Sequence, residues 1–158
     1  MFSANPLLSL LLILFVLVFV CVAIHGVGMS IGLRRLGGPK SNSTLMGTFW
    51  FLVRVVYGLL LLHLLQITVW AAFYQWGGCF PDFETSFYFS ATSYSTVGYG
   101  DVLLAPRWRI LGSVEAVTGV LMFGWSTGVL FTVAQQVHAQ VAWPVPGSRG
   151  RARKEPRP

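Results

Sequence analysis

The chain has 158 residues, of which 54% are hydrophobic and only 10% charged, and its mean hydropathy is +0.66. This composition excludes an ordinary soluble globular domain and makes a bilayer the expected solvent. The net charge of +6 comes from 11 basic and 5 acidic residues. The basic residues cluster in loops and at the C-terminus instead of covering a folded face, which argues against a nucleic-acid partner. Cys21 and Cys79 make neither a disulfide framework nor a metal cluster, and they fall near opposite membrane faces, so they should not pair. Cys79 is expected on the outer side, free by default, with cross-linking between subunits as the alternative.

In chain order, residues 7–24 form an unbroken apolar run in which Ser9 is the only polar side chain. The run is long enough to cross a hydrocarbon core of about 30 Å, so residues 1–30 are read as a membrane helix. A cleaved signal peptide fits poorly, because no basic residue precedes the run and Ile24-His25-Gly26 is a poor cleavage site. Residues 31–48 contain glycine, proline and serine together with Arg34, Arg35 and Lys40, and are predicted to be a cytoplasmic loop. A second apolar stretch, 49–76, ends in Trp70, Tyr74 and Trp76, aromatic residues suited to a membrane interface.

A third apolar stretch, 108–138, is followed by a basic tail, 139–158, predicted to be disordered. The tail carries Arg149, Arg151, Arg153, Lys154 and Arg157; it can serve as a positive-inside anchor or bind anionic lipid. Eight of the 11 basic residues then lie on one side of a three-helix arrangement. The positive-inside rule puts the N-terminus outside and the C-terminus in the cytoplasm.

Between the second and third stretches, the segment from Cys79 to Ser95 is too apolar for an exposed loop and should dip back into the membrane. Pro81 and Asp82 make a good helix start, since the Asp82 carboxylate can accept bonds from free amides and Glu84 suits the positive end of the dipole. A short re-entrant helix over 82–95 is expected. It runs directly into Thr96-Val97-Gly98-Tyr99-Gly100-Asp101.

That hexapeptide, in the order outer helix, pore helix, filter and inner helix, resembles the potassium channel pore-domain family across residues 49–138. The resemblance implies an all-α integral membrane protein, with three transmembrane helices, a re-entrant pore helix and a selectivity filter at 96–101. It implies passive, potassium-selective conduction through a homotetrameric pore. A dehydrated potassium ion needs rings of oxygens in place of its lost water. By resemblance the backbone carbonyls of Thr96, Val97, Gly98 and Tyr99 supply them, the Thr96 hydroxyl closes the inner site, and Gly100 completes the segment. Successive inward carbonyls require positive φ values that Gly98 and Gly100 reach without steric cost. One filter segment per chain requires four chains.

The family often has tryptophans at the two positions occupied here by Tyr88 and Phe89, and a glutamate or valine where Thr92 stands. These departures bear on filter stability and inactivation. Tyr88 and Phe89 are expected to brace Tyr99, with Asp101 accepting a bond from Tyr88.

Other residues admit two readings. Glu115 lies about 12 Å below Arg107 at 1.5 Å per residue; it is either a proton-sensitive strut or an ordinary structural hydrogen-bond partner, with Ser93 or Tyr94 as its expected contacts. Arg54 is expected to snorkel to the headgroups, and a lone arginine is no voltage sensor. For His63 and Gln66 interhelix hydrogen bonding is favoured over a metal or proton relay, while His25 and His138 are expected near cytoplasmic ends. Gly119 is favoured over Gly124 as a gating hinge in the inner helix, and packing explains such glycines equally.

No catalytic triad, ATP site or metal-ligand cluster gives an enzyme or pump residues to rest on, and no cofactor is expected beyond potassium as the permeant ion. A potassium transporter built on pore-like loops is a further reading, but such loops usually keep only one filter glycine. The alternative function is a non-conducting or regulatory membrane subunit with the pore fold. The short stretch after His138 leaves no room for a cytoplasmic sensor domain, so gating is expected from the membrane, the filter, pH or a partner. The compact chain points to a bacterial plasma membrane.

Overall fold

The structure, a computed structural model, describes residues 6–36 and 44–141. Of the basic tail predicted over 139–158, residues 139–141 belong to the last helix, and residues 142–158, like Lys40, lie outside the described residues. Four α-helices follow in order: α1 (Pro6–Leu36), α2 (Leu45–Trp76), α3 (Phe83–Tyr94) and α4 (Arg109–Val141), with a 3-10 turn over Pro106–Trp108 before α4. Among the described residues there is no strand. Three helices, α1, α2 and α4, are long and apolar enough to cross a membrane. The chain is therefore an integral, multi-pass membrane protein.

Two boundaries differ from the sequence expectation. The loop expected over 31–48 is helical up to Leu36 and again from Leu45, so α1, with 31 residues, is about 46 Å long. Gly32 does not stop the helix, because one interior glycine costs only about 1 kcal/mol while Met29 packs against Val55 and Leu59 close by. Arg34 and Arg35 in the last turn also suit the negative end of the helix dipole. Thr44 opens α2 by accepting a bond from the Gly47 amide at 3.3 Å. The end of α2 is closed by the Cys79 amide donating to the Tyr74 carbonyl at 2.8 Å and the Gly78 amide to that of Gln75 at 3.0 Å. This cap requires the left-handed backbone that Gly78 supplies at φ +65°.

Packing follows one stripe on each helix. On α1 the buried residues Leu14, Leu17, Cys21, His25 and Met29 recur every three or four positions, which puts them on one face. Leu10 and Ile13 pack beside this face, partly buried, while Leu7 and Leu11 near the N-terminal end and Phe15, Phe19 and Val27 on other faces are exposed, as expected for a helix that meets lipid. On α2 the stripe runs through Val55, Leu59, His63, Gln66, Ile67, Trp70, Ala71 and Tyr74. Trp70 and Tyr74 are therefore not interfacial aromatics: both are fully buried, and of the three only Trp76, 87% exposed, remains open at the C-terminal end of α2. The short α3 lies against both α2 and α4, while α1 packs on α2 and α4 from the other side.

Candidate functional site

The re-entrant segment begins where the sequence places it. Asp82 caps α3, its carboxylate accepting from the Thr85 amide at 2.7 Å and from the Thr85 hydroxyl at 3.0 Å. These bonds hold the Asp82 carboxyl below its ordinary pKa. At the other end the Ser95 amide and hydroxyl both donate to the Ala91 carbonyl, at 3.2 and 2.6 Å. The chain then leaves the helix at once. The Thr96 amide donates to Ser93 at 2.9 Å and the Gly98 amide to Thr92 at 3.1 Å, so the first part of the 96–101 segment is tied to the last turn of α3.

Along this segment every second residue is left-handed: φ is +62° at Thr96, +53° at Gly98 and +77° at Gly100. The two glycines are where the sequence predicts positive φ. Thr96 was not foreseen in that conformation, which costs a residue with a side chain roughly 1–2 kcal/mol. In the single chain the segment from Thr96 to Asp101 is exposed, with Val97 at 52% and Tyr99 at 72%. Beside it runs a groove of about 580 Å³ lined by Thr92, Ser93, Thr96, Gly98, Ser113 and Ala116, among others.

The surroundings of the segment follow expectation in one contact and depart from it in another. Tyr88 donates to the Asp101 carboxylate at 2.7 Å, and the other Asp101 oxygen accepts from the Val102 amide at 3.1 Å. Phe89 does not brace Tyr99 within the chain. Its ring is buried between Tyr74 and Phe80, with centroids at 5.2 and 5.1 Å. Adjacent helical residues point about 100° apart, so Tyr88 and Phe89 cannot both face the same neighbour. The Thr92 hydroxyl turns back to the Phe89 carbonyl at 3.0 Å.

Glu115 is fully buried, but its partners are not Ser93 or Tyr94. One carboxyl oxygen accepts from the Tyr74 hydroxyl at 2.7 Å and the other from the Ser90 hydroxyl at 2.5 Å. Ser90 precedes Tyr94 by one turn on the same face of α3, so the partners expected for Glu115 lay about one turn too far along that helix. The Ser90 oxygen also lies 2.9 Å from the Ile67 carbonyl. A single hydroxyl proton thus stands between two acceptors.

His63 and Gln66 bond between helices as predicted, His63 to Tyr94 and Ser126 and Gln66 to His25 and Tyr94. His25 is not interfacial: it is fully buried and stacks near His63 and Trp125. Arg54 and His138 are exposed. Cys21 and Cys79 are both free thiols; burial pushes the Cys79 thiol up, partly opposed by Arg107.

The two candidate hinge glycines have different surroundings. A Cβ on Gly119 would collide with the backbone carbonyl of Tyr94, whereas Gly124 has open space around it. Close approach of α4 to the end of α3 is thus a sufficient reason for glycine at 119.

Among the described residues no group of His, Cys, Asp and Glu is arranged to hold a metal ion. The 96–101 segment can offer an ion its backbone carbonyls, the Thr96 and Tyr99 hydroxyls and the Asp101 carboxylate, the last engaged by Tyr88 and the Val102 amide. Two membrane helices flanking a re-entrant helix and an irregular segment at its end define a pore module of the channel class, since such backbone at membrane depth is tolerated only where it is covered by protein or lines a water-filled path. The chain matches the ion channel family over residues 55–136, just over half its length, and belongs to that family. No curated protein and no solved structure matches it significantly.

Proposed function

We propose that this channel conducts potassium passively and selectively through a tetrameric pore, with residues 96–101 as the filter. The observation that carries the reading is the left-handed backbone at Thr96, Gly98 and Gly100, starting two residues after the end of α3. Such alternation turns successive carbonyls to one side, and four copies make rings of oxygens for a dehydrated ion. Potassium is then held by the carbonyls of Thr96, Val97, Gly98 and Tyr99. The exposure of Val97 and Tyr99 in one chain and the groove beside them support assembly with further copies of the same chain.

In this reading the N-terminus is outside and the C-terminus cytoplasmic, in a bacterial plasma membrane, with the basic tail available to anionic lipid headgroups. Gly124 is the preferred hinge, because Gly119 is committed to its contact with Tyr94. Asp101, Tyr88, Phe89, Thr92 and Glu115 support the filter, Phe89 by wedging α3 against α2.

The test is the reversal potential of the full chain in lipid bilayers, with potassium on one side and sodium on the other. Reversal near the potassium equilibrium potential, lost in Gly98→Ala, is expected, because alanine at φ +53° is strained. An unselective current would overturn the filter assignment. A silent tetramer would favour the non-conducting subunit.

Tyr88→Phe gives a finer result. It removes the bond to Asp101 from an exposed pair and is expected to leave tetramer stability unchanged while speeding current decay several-fold. Decay at the wild-type rate would mean that the bond does not hold the filter.

A further inference from the structure

Five buried side chains from all four helices close into a ring. The Gln66 amide nitrogen is 2.9 Å from His25 Nδ1, His25 Nε2 is 3.2 Å from Ser126 Oγ, and Ser126 Oγ is 3.0 Å from His63 Nε2. His63 Nδ1 is 3.1 Å from the Tyr94 hydroxyl, which donates to the Gln66 amide oxygen at 2.8 Å. The second amide proton of Gln66 goes to the Leu62 carbonyl at 3.3 Å.

The protons fit this circuit in one sense. Gln66 donates to His25 Nδ1, so the His25 proton sits on Nε2 and goes to Ser126. Ser126 donates to His63 Nε2, which leaves the His63 proton on Nδ1 for Tyr94, and Tyr94 closes the ring on Gln66. Each group gives one ring bond and takes one. Turning the Gln66 amide over reverses every bond of the ring and exchanges the two tautomers, at the loss of the bond to the Leu62 carbonyl. Both circuits require neutral imidazoles in opposite tautomers. Equal tautomers leave a ring bond unmade, and a second proton on His63 ends the circuit differently, by making Ser126 accept from both imidazoles.

The ring acts on the end of α3. Tyr94 is the last residue of that helix, its carbonyl abuts Gly119, and the neighbouring Ser93 and Thr92 carbonyls hold the amides of Thr96 and Gly98. The first helix joins this circuit through His25 alone, and α1 lies outside the span that matches the ion channel family. Polar side chains in a bilayer favour partners on other helices, because hydrocarbon offers none.

We propose that α1 is part of the filter's support: His25, through the ring, is a positioning residue that fixes Tyr94 and thereby the start of the 96–101 segment. This rests on the potassium-channel reading for its functional consequence, but the ring itself has an independent readout.

Nitrogen-15 spectra of the histidine-labelled full chain in lipid bilayers, with His138→Gln to remove the third signal, are expected to show two neutral imidazoles in opposite tautomers. Equal tautomers or a protonated ring would overturn the circuit. Carbonyl carbon-13 shifts of Val97 and Gly98 are expected to move in His25→Ala and in Ser126→Ala, the latter removing only one oxygen, and to return in His25→Gln, whose amide supplies one donor and one acceptor. Unmoved shifts in both alanine variants would overturn the link to the filter, whether or not the protein conducts. In current recordings the same alanine variants, each of which removes two ring bonds, should raise the relative sodium permeability at least about fivefold, with rescue by His25→Gln. Unchanged permeability in folded tetramers of both variants also overturns the link. A wild-type current without potassium selectivity would overturn the potassium reading instead, leaving the spectra to decide the ring.

Discussion

Gly119→Ala should silence the channel or strip it of the proposed ion selectivity, while Gly124→Ala leaves the stability of the protein close to wild type. The difference lies in what the new methyl group meets. At 119 it runs into the Tyr94 carbonyl, part of a helix backbone that cannot swing aside, whereas at 124 nothing is near it. Overpacking of this kind typically costs about 1–3 kcal/mol. Here the displaced atoms sit two residues before Thr96, so the cost falls where ion binding is proposed. Potassium flux into liposomes together with thermal unfolding of the protein checks the result. Wild-type flux in Gly119→Ala would mean that α4 can stand off from α3 without consequence.

Glu115→Ala is the second large effect. It strips the Tyr74 hydroxyl of its buried acceptor, which costs roughly 1–3 kcal/mol, and leaves a cavity beside Ser90, whose proton falls back on the Ile67 carbonyl, so the folded protein should be strongly destabilised. Glu115→Gln should be mild. Its amide oxygen accepts from Tyr74, its amide group donates to Ser90, and the Ser90 proton is left free for the Ile67 carbonyl. Chemical denaturation in detergent orders the three proteins, and a Gln variant as weak as the Ala variant would contradict the bonding scheme. The same pair decides between strut and sensor. A wild-type current that varies across about pH 5 to 8, beside a Glu115→Gln current that does not, makes Glu115 a proton sensor; flat profiles in both make it a strut.

The parts of this structure that were legible in the sequence are those written in local chemistry. Asp82 caps α3 because a carboxylate after Pro81 can reach the free amides, and that can be seen without a fold. The positive φ of Gly98 and Gly100 follows from what glycine alone does cheaply. Thr96 was illegible because its left-handed backbone is imposed by the ties to Ser93 and Thr92, which need the completed helix end.

Facing was the other obscure quantity. In α1 and α2 nearly every residue is apolar, so no polar stripe marks the buried side. Trp70 and Tyr74 read as interfacial until α1 and α3 are packed against them. His25 carried a usable signal: it is the one basic side chain of α1 before Arg34 and Arg35 in the last turn, and together with His63 and Gln66 on the next helix it called for shared partners. Ser90 and Ser126 gave less, since a helical serine can satisfy itself on its own backbone.

The position of Ser90 and Tyr94 one turn apart on α3 has a consequence for where the channel can open and close. The upper residue is pinned to Glu115 and the lower to the histidine ring, so the helix has two anchors on one face and neither rotation nor sliding spares both. Helix α3 is therefore the stationary part of the machine. Any gate has to lie where backbone can move while α3 keeps its contacts with Glu115 and Gly119: in the residues after Thr96, or in α4 beyond Gly119, where Gly124 has open space around it.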